Sequence, residues 1–288
     1  MERIAFMNGV FIPFDQARIP VMDRGFLFAD GIYEVSAVLD GRLIDNEAHL
    51  ARLDRSLGQI RIANPYSSAE WERRQSELVR RNGLGEGVVY IQVTRGVAER
   101  DFAFPVETPP TIVMFTQPKR IIDAPLAVSG AAVITVPDLR WRRRDIKSVG
   151  LLAQVLAKQL AAEAGAAEAF MVEDGLVTEG GSSTAFIITK ANVIRTRPLS
   201  TAILPGITRQ AVLHLAETHG LALDERAFSV EEALDAAEAF FTSASSFVTP
   251  VVSIDGQPIG TGHPGPLVKK LRALYLELAQ ATAAPAQP

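Results

Sequence analysis

The 288-residue sequence contains no cysteine and only four histidines. Without cysteine the chain can form neither disulfides nor thiolate metal sites. The histidines also lack metal-ligand spacing, since the two that share a predicted helix, His214 and His219, are five residues apart rather than four. We therefore expect no metal site.

Long apolar runs and long blocks of charge are also missing. No apolar stretch reaches the roughly 18 residues that a membrane span requires, and the first nine residues lack the apolar centre of a signal peptide. The net charge is −4, and the densest basic run, Arg142–Arg144, is too short for a nucleic-acid-binding stripe. We expect a cytoplasmic protein with neither a membrane nor a nucleic-acid partner.

The apolar content, at 48%, is high enough for a buried core in one large or two modest domains. Turn signals at Asn8-Gly9 and Asp40-Gly41 predict an antiparallel start. Two helices are predicted next, the first capped by Asn46 and the second running from about Ser68 to Asn82. Strands alternate with helices in the rest of the chain, and many of these strands are separated by short turns.

A polar segment bounded by prolines, residues 117–125, is the best candidate for a linker. We place the domain boundary near residue 120. This gives a small N-terminal α/β domain over residues 1–120 and a larger domain, rich in antiparallel strands, over residues 121–280. Residues 281–288 contain only Ala, Pro, Gln and Thr and are predicted to be a disordered tail.

Lysine is scarce, with six in the chain, and Lys147 alone lies between an apolar strand (131–136) and an apolar helix. A lysine attacks carbonyl groups when burial or nearby positive charge lowers its pKa, because the neutral amine is the nucleophile. The run Arg142–Arg144 is a source of such charge. A lysine at a helix start is also typical of a solvated residue, so both interpretations stay open on this pattern alone.

Glu179 is a second candidate, because it follows a short apolar strand and precedes the small-residue loop Gly180-Gly-Ser-Ser-Thr184. A carboxylate in such a setting is either a turn residue or part of a site. Taken together, Asp145-Ile-Lys-Ser148 and Thr178-Glu-Gly-Gly-Ser-Ser-Thr184 resemble the paired motifs of the fold-type IV pyridoxal-phosphate (PLP) enzymes. These are the D-amino-acid and branched-chain aminotransferases and the aminodeoxychorismate lyases.

The resemblance extends over nearly the whole chain and is strongest to the D-amino-acid aminotransferases. It is carried by five further segments: Asp30-Gly-Ile-Tyr-Glu-Val35, Val93-Thr-Arg-Gly96, Arg140-Trp141, Leu204-Pro-Gly-Ile-Thr-Arg209 and Thr249-Pro-Val-Val-Ser-Ile-Asp-Gly256. It implies a two-domain α+β fold-type IV enzyme that moves an amino group between a D-amino acid, such as D-alanine or D-glutamate, and a 2-oxo acid.

In the resembling enzymes the lysine that matches Lys147 carries PLP as an internal aldimine and acts as acid and base. The glutamate that matches Glu179 keeps the pyridine nitrogen protonated, which makes the ring an electron sink. Their active site is assembled across a dimer interface, so we expect a homodimer. A branched-chain L-aminotransferase, an aminodeoxychorismate lyase, and a binding protein that keeps the fold without PLP are the alternatives.

Two segments could hold a phosphate. Pro205-Gly-Ile-Thr208 opens a helix whose first amides, at Ile207 and Thr208, suit an anion, and the small residues of Thr242–Ser246 could add amides and hydroxyls. The resemblance makes both part of the PLP phosphate site and adds further cofactor contacts at Arg52, Ser182, Leu204, Ser243 and Ala244.

The local sequence fits two of these contacts, Arg52 and Ala244, less well. By helix pattern alone, Arg52 lies off the apolar stripe and is expected to be solvated. Ala244 replaces a threonine that is frequent in the family, and the lost hydroxyl should loosen phosphate binding by about 1 kcal/mol.

The long segment 95–110 lies between two predicted strands and carries Arg100. The local pattern alone pairs Arg100 with Glu99 or Asp101. The resemblance instead implies that the loop reaches into the neighbouring subunit's site, where Arg100 and a Tyr33 hold the α-carboxylate of the substrate. The family's Arg-x-His pattern is only partly kept, because the histidine position is Phe102, so the carboxylate trap is expected to lack one polar contact.

Overall fold

The structure is a computed structural model that describes residues 2–282. The predicted tail, 281–288, therefore lies outside the described residues except for positions 281 and 282. The chain divides into two compact units. Unit 1 comprises the residues up to Arg120, the segment Ile146–Gly150 and the residues from Ala279 onward, and unit 2 comprises Ile121–Asp145 and Leu151–Leu278. The segment that carries Lys147 thus groups with unit 1, whereas the division at residue 120 assigned it to the second domain.

Within residues 2–282, unit 1 contains a six-stranded antiparallel sheet in the order β2-β1-β6-β5-β3-β4. Its strands are β1 (Ile4–Met7), β2 (Val10–Pro13), β3 (Gly31–Leu39), β4 (Arg42–Leu43), β5 (Gly87–Thr94) and β6 (Thr111–Pro118). A 3-10 turn covers Phe14–Gln16, and the helices are α1 (Arg24–Phe28), α2 (Asn46–Gln59) and α3 (Ser68–Asn82). The two predicted hairpin turns lie where the sequence indicates them.

The ends of α2 and α3 follow local capping chemistry. Helix α3 begins with a capping box between Ser67 and Glu70 and ends at Gly83, whose φ of 56° suits a glycine. Helix α2 differs from the prediction, because Asp45 is its N-cap and Asn46 lies inside the helix. The Asn46 side chain is buried and hydrogen-bonds Ser36 and Gln75 instead.

The apolar sides of α2 and α3 form the core of unit 1 with the sheet. Leu53 and Leu57 of α2 and Trp71 of α3 are fully buried in this cluster. Burying side chains of this size contributes about 1.5–3 kcal/mol each. The same cluster includes Ile146, so the residue next to Lys147 is anchored in the core.

The backbone around Lys147 is fixed by β3. Tyr33 N–H donates to Lys147 O at 2.9 Å, and Val149 N–H donates to Gly31 O at 3.1 Å. These two bonds flank an isolated bridge between Ile32 and Ser148. The segment around Lys147 therefore runs alongside the start of β3 like a short extra strand. This pairing sets the position of the lysine.

Unit 2 is built on a mixed sheet, which has nine strands within residues 2–282. The order is β12-β11-β10-β13-β14-β7-β8-β9, with β15 paired to β14. The strands are β7 (Ala131–Pro137), β8 (Glu168–Glu173), β9 (Leu176–Gly180), β10 (Thr184–Ile188), β11 (Ile194–Thr196), β12 (Leu223–Asp224), β13 (Glu238–Ser243), β14 (Phe247–Ile254) and β15 (Gln257–Pro258). Strand β12 is thus only two residues long.

The helices of unit 2 are α4 (Pro125–Ser129), α5 (Leu152–Glu163), α6 (Ile207–Thr218), α7 (Val230–Leu234) and α8 (Pro266–Thr282). Helix α5 shows an unusual distribution of apolar residues. Its buried side chains are Ala157 and Ala161, whereas four large ones are half or more exposed: Leu152, Val155, Leu156 and Leu160. The predicted apolar stripe of this helix therefore faces away from the core of its own unit.

Helices combined with two largely antiparallel sheets confirm the predicted α+β class. Among the described residues, no helix is long and apolar enough to cross a membrane, and no group of three or more potential ligands could hold a metal ion.

Candidate active site

The carboxylate of Glu179, at the end of β9, is buried and held from two sides. Arg140 Nη1 donates to Glu179 Oε1, and Leu204 N–H lies 3.2 Å from both carboxylate oxygens. Burial raises the pKa of Glu179, and the nearby charge of Arg140 opposes that rise. A buried carboxylate fixed in direction in this way can accept a hydrogen bond from a cationic group.

Arg140 is oriented in turn by Asp138. Its Nε and Nη2 donate to the two oxygens of Asp138 at 2.9 and 2.7 Å, and Thr178 Oγ1 donates to Asp138 Oδ2 at 2.6 Å. Burial acts to raise the pKa of Asp138, but the hydrogen bonds from Arg140 hold it below its usual range. Neither residue was among the sequence candidates, although Arg140 lies in one of the segments that carry the resemblance.

Two arginines of the basic run before Lys147 pair with carboxylates. Arg143 pairs with Asp145 at 2.9 Å, and Arg144 makes two bonds to Glu173, at 2.8 and 2.9 Å. The positive charge of these two residues is therefore balanced by carboxylates of unit 2.

Lys147 and Tyr33, predicted separately, are neighbours in unit 1. Lys147 is half-buried, and its Nζ lies 4.2 Å from the centroid of the Tyr33 ring, a distance at which a ring face attracts a cation. The Tyr33 ring stacks on Tyr90 at 5.6 Å. An aromatic surface thus lies against the lysine side chain.

Arg52 is buried, which corrects the expectation that it is solvated. Its Nε and Nη2 donate to the two oxygens of Glu34, at 2.9 and 2.5 Å, and His49 Nδ1 lies 2.9 Å from the same carboxylate. Burial acts to raise the pKa of Glu34, but the charge of Arg52 and the hydrogen bond to His49 hold it well below its usual range. The guanidinium therefore keeps one fixed direction within unit 1.

Arg100 is exposed and contacts aromatic rings. Its guanidinium carbon lies 5.2 Å from the Phe28 ring centroid and 5.7 Å from that of Phe102. Those two rings contact each other at 5.5 Å. Among residues 2–282, the structure gives Arg100 no ion pair with Glu99 or Asp101, so the pairing expected from the local pattern is not formed.

The loop that carries Arg100 is tied to the start of unit 1 by a buried arginine. Arg24 Nη1 donates to Asp101 O at 2.5 Å, and its Nε donates to Asp30 Oδ2 at 2.8 Å. Arg95 donates to the same carboxylate at 2.7 and 3.0 Å. Asp30 thus orients Arg24, and Arg24 fixes the backbone next to Arg100.

The predicted anion site at α6 has two matching features. No side chain caps the helix at Gly206, and a Cβ at that position would stand 2.8 Å from Thr184 Oγ1. Thr184 is the cross-strand partner of Thr242, whose buried Oγ1 has no hydrogen-bond partner among the described residues. The helix start and the Thr184–Thr242 pair therefore lie on one face of the sheet.

The remaining candidates lie in two loops. Ser182 is exposed, 3.4 Å from Glu168 Oε2, and Ser183 donates to the same oxygen at 2.9 Å. Ser243 Oγ lies 2.8 Å from Ser246 Oγ, while Ala244 follows it without a hydroxyl. The Ser182 loop is thus tied down by a buried carboxylate that the sequence reasoning missed.

Comparisons with known proteins identify the family of the chain. The family model for amino-transferase class IV matches residues 31–254. The chain belongs to the class IV aminotransferase family.

Curated relatives of this class IV aminotransferase include D-alanine aminotransferases. The protein from Bacillus licheniformis is 43% identical over 92% of this chain and 93% of its own length. The protein from Staphylococcus aureus strain MSSA476 is 41% identical over 94% and 96%. Both matches extend over almost the full length of each chain.

Solved structures of branched-chain amino acid aminotransferases share the fold. The enzyme from Thermoproteus uzoniensis, solved with norvaline, is 27% identical, with a TM-score of 0.85 over 98% of this chain and 96% of that chain. The Escherichia coli enzyme, at 22% identity and a TM-score of 0.88 over 99% and 97%, supports the fold alone. The predicted fold-type IV class is confirmed.

Glu34→Gln tests the buried pair in unit 1. The change should lower the free energy of unfolding at pH 7 by about 3–5 kcal/mol, because Arg52 stays buried without that carboxylate. Since the folded-state pKa of Glu34 is depressed, its stabilisation is complete above the unfolded-state pKa and is lost as pH falls toward the folded-state pKa. In urea titrations the difference in free energy of unfolding between wild type and Glu34→Gln should therefore become smaller by about 1–2 kcal/mol as pH falls from 7 to 3.

Glu47→Gln, at an exposed position of the same helix as Arg52, is the matched control and should change stability by less than about 0.5 kcal/mol. A gap for Glu34→Gln that is equally large at both pH values would contradict the assignment of an ionised, paired carboxylate.

Proposed function

We propose that this class IV aminotransferase uses PLP to move an amino group between a D-amino acid, such as D-alanine or D-glutamate, and a 2-oxo acid. The observation that carries the proposal is the buried carboxylate of Glu179, fixed by Arg140 and Leu204. The choice of D-amino acids is supported by D-alanine aminotransferases at 37% to 43% identity.

The residues of the candidate site fit three parts of PLP: the phosphate, the pyridine nitrogen and the aldehyde carbon. The uncapped start of α6 and the unpaired Thr242 hydroxyl suit a phosphate. Glu179 suits a protonated pyridine nitrogen. Lys147 is a half-buried amine beside an aromatic ring, which suits attachment to an aldehyde carbon.

We assign cofactor-holding roles by these properties. The amides of Ile207, Thr208 and Ala244 would bind the phosphate, with the hydroxyl of Ser243 and the positive charge of Arg52. Leu204 would hold Glu179 through its N–H, and Ser182 would contribute a polar contact at the loop after β9. When bound, PLP supplies an electron sink that acidifies the substrate Cα.

The chain's own residues then move the proton and hold the substrate. Lys147 Nζ takes the proton from the substrate Cα and returns it to the cofactor side, acting as general base and then as general acid. Glu179 keeps the pyridine nitrogen protonated throughout. Arg100 and the Tyr33 hydroxyl hold the substrate α-carboxylate, which sets the face presented to the lysine.

We also propose a homodimer, on the basis of the exposed stripe of α5. Leu152, Val155, Leu156 and Leu160 are 50% to 72% exposed and recur at helical spacing. Soluble monomers rarely leave contiguous patches of large apolar side chains in water, whereas such patches are typical of subunit interfaces. A second copy of the chain is the occupant we propose, because the resembling enzymes are dimeric.

Lys147→Ala should reduce transamination between D-alanine and 2-oxoglutarate by about a thousandfold or more, since the acid and base are lost. Melting temperature should stay near that of wild type, because no core volume is removed. Lys190→Ala, which removes an exposed surface lysine, is the control and should keep full activity.

The lysine that binds the cofactor can also be identified by chemical labelling. After borohydride treatment of PLP-loaded wild type, the cofactor should be attached to Lys147. Trypsin does not cut after a modified lysine, so the label should appear in the peptide from Asp145 to Lys158. A label on another lysine, or near-normal activity of Lys147→Ala, would contradict the assignment of Lys147 as the lysine that binds the cofactor and transfers the proton.

Glu179→Gln should still bind PLP but lower kcat by about a hundredfold, or about 3 kcal/mol, because a neutral amide does not hold the proton on the pyridine nitrogen. Glu173→Gln is the control, since Glu173 pairs with Arg144 rather than Arg140. Steady-state kinetics with D-alanine measure both variants. An unchanged rate in Glu179→Gln would mean that another acid faces the ring.

Arg100→Ala should lower kcat/KM for D-alanine, mainly by raising KM, because a charge-assisted contact to the carboxylate is lost. The fall should correspond to a loss of about 2–4 kcal/mol of transition-state stabilisation. An (R)-amine without a carboxylate should be nearly unaffected. Equal losses on both substrates would indicate collapse of the loop. No loss on D-alanine would show that the carboxylate is bound elsewhere.

Leu156→Glu should convert the dimer to a monomer in light scattering at micromolar concentration, because it places a charge in an apolar interface. Wild type should run at about twice the chain mass of 31.1 kDa. Gln210→Glu, at an exposed position of α6, introduces the same charge and should stay dimeric. A monomeric wild type would reject the assembly.

A further inference from the structure

We propose that the side-chain hydroxyl of Thr242 donates a hydrogen bond to the phosphate of the cofactor. This inference rests on the proposed function, since it names a phosphate contact of the same site. The sequence pattern pointed to the whole stretch Thr242–Ser246, and the resemblance named Ser243 and Ala244 within it. Neither singled out Thr242.

The first observation is the state of the hydroxyl. Thr242 is 2% exposed, and its Oγ1 has no hydrogen-bond partner among residues 2–282. A hydroxyl buried without a partner is destabilising, and native structures rarely keep one without a role. The hydroxyl next to it differs, because Ser243 Oγ is 2.8 Å from Ser246 Oγ.

The second observation is where the hydroxyl lies. Thr242 of β13 is directly opposite Thr184 of β10, and opposite residues of an antiparallel pair project from the same face. Thr184 Oγ1 lies where a Cβ on Gly206 would clash, at 2.8 Å. Since Gly206 is the uncapped start of α6, the unpaired hydroxyl and the amides of a helix N-terminus lie on the same face.

The third observation is that a buried arginine holds the turn that follows β13. The buried Arg272 donates to Ser246 O at 3.0 Å and to Val248 O at 2.8 Å. Phe247 is fully buried with φ of 57°, a left-handed conformation that is costly for a residue with a Cβ. A turn fixed in this way limits the ability of Thr242 to move toward another partner, so the hydroxyl is preorganised for a ligand.

The experiment measures binding of PLP and of pyridoxal, which lacks the phosphate, to the apoprotein by equilibrium fluorescence titration. The ratio of the two dissociation constants isolates the phosphate contribution, because both compounds share the ring and the aldehyde. Thr242→Val removes the hydroxyl at constant shape, and Thr242→Ser restores it. Thr196→Val is the matched control, since Thr196 is equally buried in the same sheet but donates to Ala185 O at 2.9 Å.

In Thr242→Val the preference for PLP over pyridoxal should fall by about tenfold, the scale of a hydrogen bond to a charged group. Thr242→Ser should stay within a factor of about two to three of wild type. The melting temperature of the Thr242→Val apoprotein should rise, because an unpaired buried hydroxyl is removed. Thr196→Val should lower the melting temperature, because it removes a hydroxyl that donates to Ala185 O. It should leave the preference for PLP over pyridoxal unchanged.

An unchanged preference in Thr242→Val would overturn the inference, even if the apoprotein became more stable. Equal weakening of PLP and pyridoxal would also overturn it, because the hydroxyl would then shape the sheet rather than contact the phosphate. Failure of the proposed function gives different results. If the chain does not use PLP, wild type binds neither compound; if only the choice of D-amino acids is wrong, this binding test keeps its expected outcome and the transamination assay with D-alanine fails.

Discussion

The ion pair between Arg140 and Glu179 is the contact in unit 2 on which the function we propose depends. A carboxylate buried this deeply favours the protonated form unless a positive charge stands beside it. Arg140 supplies that charge and Asp138 holds Arg140 in direction. The result is a carboxylate that is fixed but still basic enough to keep a pyridine nitrogen protonated in the function we propose.

The same arrangement recurs in unit 1, where carboxylates hold three buried arginines. Glu34 orients Arg52, and Asp30 orients Arg24 and Arg95. Taking an ion pair out of water often costs as much as the attraction returns, so these pairs are poor devices for stability alone. They do fix the direction of guanidinium groups, and a binding site for a phosphate and a carboxylate requires that property.

Local patterns predicted the parts of the fold that depend on neighbouring residues. The helix from Ser68 to Asn82 and its stop at Gly83 follow from capping and periodicity, as do the hairpin turns. Asn46 was misassigned as an N-cap because its partners, Ser36 and Gln75, are distant in sequence. Arg52 was expected to be solvated for a similar reason, since periodicity cannot reveal that Glu34 lies beside it. The site residues came from resemblance, and their roles, like the cytoplasmic location and the homodimer, stay predictions.

The most direct test of D-amino-acid transamination is the half-reaction of PLP-loaded enzyme without an acceptor. The enzyme is mixed with D-alanine or with L-leucine, and the released cofactor is separated as PLP and pyridoxamine 5'-phosphate over time. We expect D-alanine to convert the cofactor at least about a hundredfold faster than L-leucine, because a carboxylate held in one fixed place leaves the Cα proton of only one enantiomer facing the lysine. Faster conversion by L-leucine would contradict the account and favour the branched-chain alternative.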